Sequence, residues 1–287
     1  MREQVKNIPI VDLHPFPNNP FSVREDIDLQ DSIRDYGVIS PLVVRPLESG
    51  GYELISGHRR KSACELVGID KVPAFVRNLD DNTAVIALVD SNLHREHILP
   101  SEKAFAYKMK LDAIKKQGER TDLSGVPSSR QPVGKLESAD IVGHEASESG
   151  RQVQRYIRLT ELNPQILKMV DENQIAFTPA IELSYLSGQE QADLLETMVC
   201  EDRTPSLSQS QQMRRLSADG QLNMDTIFKI MTEEKPNQAE QIKIKTDSIK
   251  AFFPKNYSLR QMEQVIMKLL AEWQLKRERA AKSRDAR

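Results

Sequence analysis

Between Ile8 and Asn78 short runs of apolar and β-branched residues alternate with stretches of helical period. Leu42–Arg45 (LVVR), Tyr52–Ser56 (YELIS) and Val72–Arg77 (VPAFVR) are bounded by Gly and Pro and read as strands. Asp28–Tyr36 and His58–Val67 carry helical periodicity, and each is followed by a glycine, Gly37 or Gly68, where a helix is expected to stop. The pattern predicts a small α+β unit. After Asp80 strand signals almost vanish: Thr83–Glu96 and Pro100–Gln117 predict two helices divided near Pro100, the second with a capping signature at Ser101. Gly118–Gln131 is rich in Gly, Ser and Pro without periodicity and predicts an exposed loop or disordered insertion, with helices resuming near Lys135.

Residues 204–209 (TPSLSQ) and 233–240 (EEKPNQAE) have linker composition. Ser258–Arg279 predicts an amphipathic helix whose stripe holds Met262, Val265, Ile266, Leu269, Leu270 and Trp273. The stripe suits either docking on the preceding Phe252-Phe253-Pro254 segment or a dimer seam. The expected organisation is an α+β domain over 1–98, a mostly helical domain over 99–203, and a helical C-terminal region with a basic tail over 204–287.

Within the middle part, Lys135–Ala146, the four residues Ser147–Gly150, and Arg151–Leu162 have the layout of a helix-turn-helix. At about 100° per residue, Val153, Tyr156, Ile157 and Thr160 gather on one side of the second helix, and Arg151, Gln154, Arg155 and Arg158 on the other. A buried apolar side with an outward strip of guanidinium and amide groups, Gln152 beside it, suits a major groove: Arg pairs with guanine and Gln with adenine, while further arginines hold phosphates. Ser147 and Ser149 are placed to cap the helix or meet a phosphate. The bland alternative is an ordinary solvated basic helix.

Composition narrows these readings. A chain of 287 residues suits two or three domains, and 29% charged with 39% hydrophobic residues describes a helix-rich protein without a bilayer-length apolar run. No membrane partner is expected. The N-terminus lacks a secretory pattern, so a cytoplasmic protein is expected, nucleoid-associated through the DNA-binding helix-turn-helix. The net charge of −2 requires any DNA-binding surface to be a local concentration of cations. Residues 275–287 are strongly basic and read either as a phosphate-contacting helix end or as a solvated tail. Cys64 and Cys200, far apart, form no zinc or disulfide pattern and read as packing residues. His94 and His97 with Glu96 lack enough partners for a metal site, and no familiar hydrolase or Walker motif occurs.

The strand Tyr52–Ser56 runs into Gly57-His58-Arg59-Arg60 and a helix. A glycine at a strand-to-helix turn leaves free amides pointing outward, and with arginines in the first turn it makes an anion site. Ala63 permits close packing one turn on.

The ordered segments IPIVDLHPFPNNPF, LQDSIRDYGVISPLVVRP, YELISGHRRKSACELVGIDKVPAFV and SNLHREHILPSEKAFAY resemble the N-terminal domain of the ParB partition proteins, whose fold is sulfiredoxin-like. The helix-turn-helix ending QRYIRLTEL is similar to that family's DNA-binding domain. The resemblance implies CTP and Mg2+ as cofactors, loading of a homodimer at a palindromic centromere-like site on double-stranded DNA, a spreading clamp, and a ParA-type ATPase as partner. The replicon served would be a chromosome, plasmid or mobile element. By residue, it implies nucleotide contacts from Gly57, His58, Arg59, Arg60 and Ala63 in a Gly-x-x-Arg-x-x-Ala motif, and from Ser91, Asn92 and Arg95 in a Glu-Asn-x-x-Arg motif, with Asn92 also touching the magnesium. Arg24 lies near a first nucleotide segment through a loose match. Ser149, Arg151, Gln152, Gln154, Arg155 and Arg158 would contact DNA.

Ser91 stands where the family motif has glutamate, and a hydroxyl supplies no carboxylate for magnesium or water. Weak or absent CTP hydrolysis is therefore expected. Two other functions stay open: a helix-turn-helix transcriptional regulator without nucleotide switching, and a ParB-like-fold enzyme, kinase or nuclease.

Overall fold

A computed structural model describes residues 5–23, 25–93, 95, 97–123, 135–233, 252–254 and 257–285. The chain divides into compact units Met1–Glu233 and Glu234–Arg287.

The first unit opens with a mixed five-stranded sheet of β1 (Val5–Pro9), β2 (Leu13–Pro15), β3 (Leu42–Pro46), β4 (Tyr52–Ser56) and β5 (Lys71–Val76), ordered β1-β5-β3-β4-β2. The central β3 and β4 pair antiparallel through a tight turn, with Val44 opposite Leu54, while β3 and β5 run parallel. Alternation along β4 sends neighbouring residues to opposite faces. Leu54 joins Leu42, Val44, Val72, Ala74 and Cys64 beneath α1 (Ile27–Tyr36) and α2 (His58–Val67), whereas Ile55 joins Phe16, Ala84 and Leu88 beneath α3 (Asp81–Leu93). Both faces are thus buried, which explains the nearly continuous apolar run Leu54-Ile55. The edge strands β1 and β2, absent from the sequence reading, are short, and Pro9 and Pro15 end them; pairing with β5 and β4 sets them.

The helical part follows as α4 (Pro100–Leu123), α5 (Lys135–Glu145), α6 (Gly150–Arg158), α7 (Pro164–Asp171), α8 (Phe177–Leu183), α9 (Gly188–Glu201), α10 (Leu207–Ala218) and α11 (Met224–Thr232). The cap expected from Ser101 is corrected. Ser101 lies inside α4 and is itself a donor, its N and Oγ bonding the Asp171 carboxylate at 2.9 and 2.6 Å, while Leu99 N donates to Glu102 at 3.1 Å. The helix also continues through 118–123, the first residues of the expected insertion, because its helical hydrogen bonding does not stop at Gly118. Residues 124–131 lie outside the described residues.

Tyr107 and Leu111 of α4 pack on Ala139 and Val142 of α5 and on Val153 of α6. A second helical core gathers Leu159, Ile166, Leu183, Leu194, Met213, Ile227 and Ile230, so packing continues across 203/204. Leu207–Gln209 are the first turn of α10, fixed by a capping box between Ser206 and Gln209. Cys64 is buried, but Cys200 is exposed near the end of α9, so its expected packing role is corrected.

In the second unit α12 (Leu259–Asp285) buries Met262 and half-buries Val265 and Ile266, leaving Leu269, Leu270 and Trp273 54–59% exposed. Phe252 is exposed as well. Among the described residues no helix is long and apolar enough to cross a membrane.

Candidate functional site

Gly57 links β4 to α2 at φ 108°, a left-handed conformation that costs glycine little. A Cβ there would stand 2.8 Å from Leu42 Cγ and 3.3 Å from Arg60 Nη2, so both the space and the torsion require glycine. The first helical bond of α2 is Lys61 N to Gly57 O, leaving the amides of the preceding first turn outside the helical ladder.

Cations converge on this turn. Arg59 pairs with Asp26, whose carboxylate also caps α1. Arg60 donates to the carbonyls of Ser40 and, at 3.0 Å, Pro41, and burial depresses its pKa. Arg95 stacks over Phe21 at 5.6 Å; burial, then the like charge of Arg59, lowers its pKa, with Glu102 opposing. His58 is only 8% exposed and its Nε2 has no hydrogen-bond partner. Burial, then the charges of Arg95 and Lys61, lowers its pKa to about 4. A buried, neutral imidazole with an unused nitrogen lies in the positive field of Arg95 and Lys61, a setting whose charge favours an anion. Ala63 is buried behind it.

The second motif lies at the end of α3. Asn92 is 3% exposed, and its amide nitrogen donates to Leu88 O at 2.7 Å and to Ser91 Oγ at 3.2 Å, leaving its carbonyl oxygen as the group that can turn to a ligand. Ser91 donates to Leu88 O. The neighbouring Asp90 pairs with Lys110. No group of three or more His, Cys, Asp or Glu side chains forms a metal site among the described residues. Arg24, His94 and Glu96 lie outside the described residues.

The sequence reading missed Glu102. Its Oε1 accepts from both the backbone N (2.8 Å) and Oγ (2.5 Å) of Ser22, tying the segment before Arg24 to the start of α4. From sequence, an acid in the first turn signals only a cap.

The helix-turn-helix forms as α5, a turn and α6. Its two glycines mark close contact: a Cβ on Gly143 would lie 2.6 Å from Glu148 O, and one on Gly150 would lie 2.0 Å from Asp140 Oδ1. Ser149 caps α6 by accepting from Gln152 N at 3.2 Å, while Ser147 takes a positive φ in the turn. Val153 is buried on α4 and α5. On the outer strip Arg151 and Gln154 are exposed. Arg155 bonds Gln152 Oε1 at 3.1 Å and Thr178 Oγ1 at 3.3 Å and covers Phe177, and Arg158 bonds Ser184. The helix ends at Arg158 in a 3-10 turn, Leu159–Glu161, shorter than the expected Arg151–Leu162.

The family model for the ParB N-terminal domain matches residues 1–93. Nucleoid occlusion proteins of Geobacillus thermodenitrificans and Bacillus thuringiensis are 40% and 41% identical over 110 residues, 37% of this chain. The matched stretch spans 39% and 38% of those two relatives, so the chain covers about two fifths of their length. Among solved structures, C-terminally truncated ParB from Caulobacter crescentus complexed to the centromeric parS site is 20% identical with a TM-score of 0.42, covering 73% of this chain and 98% of that one. The same protein complexed with CTP-γ-S is 23% identical with a TM-score of 0.30, covering 68% and 99%. In the present chain the matched region contains the turn at Gly57 and ends with α3, which carries Ser91 and Asn92.

Proposed function

We propose that this protein is a site-specific double-stranded DNA-binding partition or nucleoid occlusion factor whose ParB domain binds CTP as a regulatory ligand. The observation that carries the reading is the presence, in one packed unit, of an arginine-lined α2 turn with an unsatisfied buried His58 nitrogen and a helix-turn-helix with an exposed Arg151 and Gln154. The first-turn amides of α2, with Arg59, Arg60 and Arg95, would hold the phosphates, and the carbonyl of Asn92, an acceptor, would face the magnesium that they carry. Bound CTP supplies the polyphosphate charge that these cations lack. The side chains fit a triphosphate better than a protein-held magnesium: Ser91 and Asn92 offer neutral oxygens, and Asp90 is engaged by Lys110. Magnesium would arrive chiefly on the phosphates, and hydrolysis would be weak.

On DNA, Arg151 and Gln154 would meet base edges, with Ser149, Gln152, Arg155 and Arg158 behind them at the backbone. Nucleotide-held dimerisation of ParB domains on a palindromic site would enclose the duplex and let the protein spread, and a ParA-type ATPase would use that assembly to segregate a chromosome, plasmid or mobile element. The lack of a carboxylate at Ser91 favours one second reading, a helix-turn-helix regulator that never switches.

Equilibrium binding of labelled CTP with magnesium, against ATP, GTP and UTP, tests the proposal. Selective CTP binding lost in Arg60→Ala at an unchanged unfolding midpoint is the expected result. No CTP binding, with or without DNA, leaves the regulator.

A further inference from the structure

The end of α6 is fixed to the α8–α9 corner by one guanidinium. Arg158 Nε donates to Ser184 Oγ at 3.2 Å and Nη2 donates to Ser184 O at 2.6 Å, while the guanidinium carbon lies 4.2 Å from the centre of the Tyr185 ring. Arg214 of α10 sits 3.6 Å from the same centre and donates to Glu182 at 2.7 Å. Two planar cations this close to one ring centre must occupy opposite faces of it.

The charge accounts of the two arginines differ. Glu182 answers Arg214, whereas both bonds of Arg158 go to uncharged oxygens of Ser184, and among the described residues no carboxylate forms an ion pair with it. Tyr185 is 44% exposed, and the side chain of Arg214 is 43% exposed. Arg158 also borders an open polar cleft of about 310 Å³ shared with Asn163, Ser184, Gln191 and Glu161, the last of which pairs with Lys108 at 3.6 Å. The fork of Arg158 has five N–H donors and the two bonds use two of them, so the rest stay directed but unused beside the outer strip of α6.

We infer that Tyr185 is a positioning residue that holds Arg158 and Arg214 as a two-pronged clamp for backbone phosphates of a DNA duplex, next to the reading face of α6. This rests on the DNA-binding reading. A ring between two like charges sets their separation and orientation in advance, so a phosphate meets both cations without ordering two long side chains. An anion shared by the pair also relieves their mutual repulsion. The phosphate contacts would fix the register of α6 while Arg151 and Gln154 read sequence.

The test is fluorescence anisotropy of the full chain with a random-sequence duplex across a salt series, after the unfolding midpoint of each variant is measured. Tyr185→Leu is expected to weaken binding roughly tenfold near physiological salt and to flatten the slope of log K against log salt by about 0.9 to 1.8, one or two phosphates. Tyr185→Phe, which keeps the ring, should restore both. Arg214→Gln should flatten the slope by about 0.9 while leaving the Ser184 bonds in place, and it reads the same clamp if Tyr185→Leu fails to fold. A wild-type slope in Tyr185→Leu or in Arg214→Gln, or a phenylalanine variant as weak as the leucine one, overturns the inference. If Arg151→Ala weakens binding while Tyr185→Leu does not, only the clamp falls; if the wild type retains no duplex at low salt, the DNA-binding reading falls with it.

Discussion

Lys110 lies at the centre of the first unit with its side chain 1% exposed, between Asp90 of α3 and Glu145 of α5, whose side chains are 43% and 50% exposed. The three charges are unequal in solvation, and that asymmetry fixes which substitution hurts. Removing the lysine leaves two half-hydrated carboxylates that water still serves, whereas removing both carboxylates leaves an ammonium buried with no countercharge. Lys110→Met keeps most of the buried alkyl chain and is expected to cost no more than about 1 kcal/mol. Asp90→Ala or Glu145→Ala alone leaves one partner and should cost about 1 kcal/mol. The double variant should cost roughly 3–5 kcal/mol, the penalty of an unpaired buried charge.

For a unit of this size each kcal/mol lowers the unfolding midpoint by roughly 2–4 °C, so the double variant should melt roughly 6–20 °C below the wild type. Adding Lys110→Met to it should recover most of that loss, because the orphaned charge is gone. Thermal melts monitored by circular dichroism at neutral pH read the wild type and all five variants, and raising salt should change the double variant little, since its penalty is desolvation. A double variant within about 1 kcal/mol of the wild type, or a triple variant no better than the double, would refute the asymmetry.

Gly57→Ala forces a Cβ to 2.8 Å from Leu42 at φ 108°, and should cost about 1–3 kcal/mol and abolish CTP binding, read by melting and by labelled nucleotide. Gly143→Ala drives a Cβ to 2.6 Å from the Glu148 carbonyl, a backbone atom that cannot swing aside, so a destabilisation of about 1–3 kcal/mol and lost duplex binding are expected; a neutral melt with wild-type binding would contradict it. His58 is held neutral in the fold, with its pKa lowered from 6.5 to about 4, so as pH falls from 6.5 the unfolded chain takes up a proton that the native state refuses. Stability is full above that window and falls on acidification, by about 2 kcal/mol at pH 5 relative to pH 7.5, and His58→Phe should remove that part of the slope in melts at the two pH values.

The strands of the sheet centre were legible because both the period and the stops were local. Leu42–Pro46, Tyr52–Ser56 and Lys71–Val76 match the runs seen in sequence almost residue for residue, and Gly37 and Gly68 do close α1 and α2. So was the split of α6 into a buried Val153 side and an exposed Arg151 and Gln154 side. What failed was whatever a distant residue decides. Ser101 has the composition of a cap, but the carboxylate of Asp171, seventy positions away, takes that role and turns the serine into a donor. Nor could the sequence show what positions Arg155 and Arg158 on the outer strip: the first bonds Thr178 and covers Phe177, and the second bonds Ser184 and covers Tyr185.

The same distinction explains why α4 looked like an ordinary helix. It packs on α3, α5, α6 and α7, so buried positions surround it and no single apolar stripe emerges: Tyr107 and Lys110 are both fully buried. Along its length it touches each functional element in turn. Glu102 holds Ser22, next to the Phe21 on which Arg95 stacks, Lys103 and Tyr107 hold Glu148 in the helix-turn-helix, and Lys110 joins Asp90, adjacent to Ser91 and Asn92, to Glu145 of α5. Two sites influence one another only if both bias the arrangement of a shared element. α4 is placed to be such an element: a shift of this helix against α3 that broke the Lys110–Asp90 pair would also strain the Lys103 and Tyr107 bonds to Glu148 in the turn before α6. The Lys110 cycle therefore has a second readout: if α4 transmits nucleotide state, Asp90→Ala should reduce the effect of CTP on duplex affinity at temperatures well below its slightly lowered melting point, whereas a purely structural lysine would leave that effect unchanged.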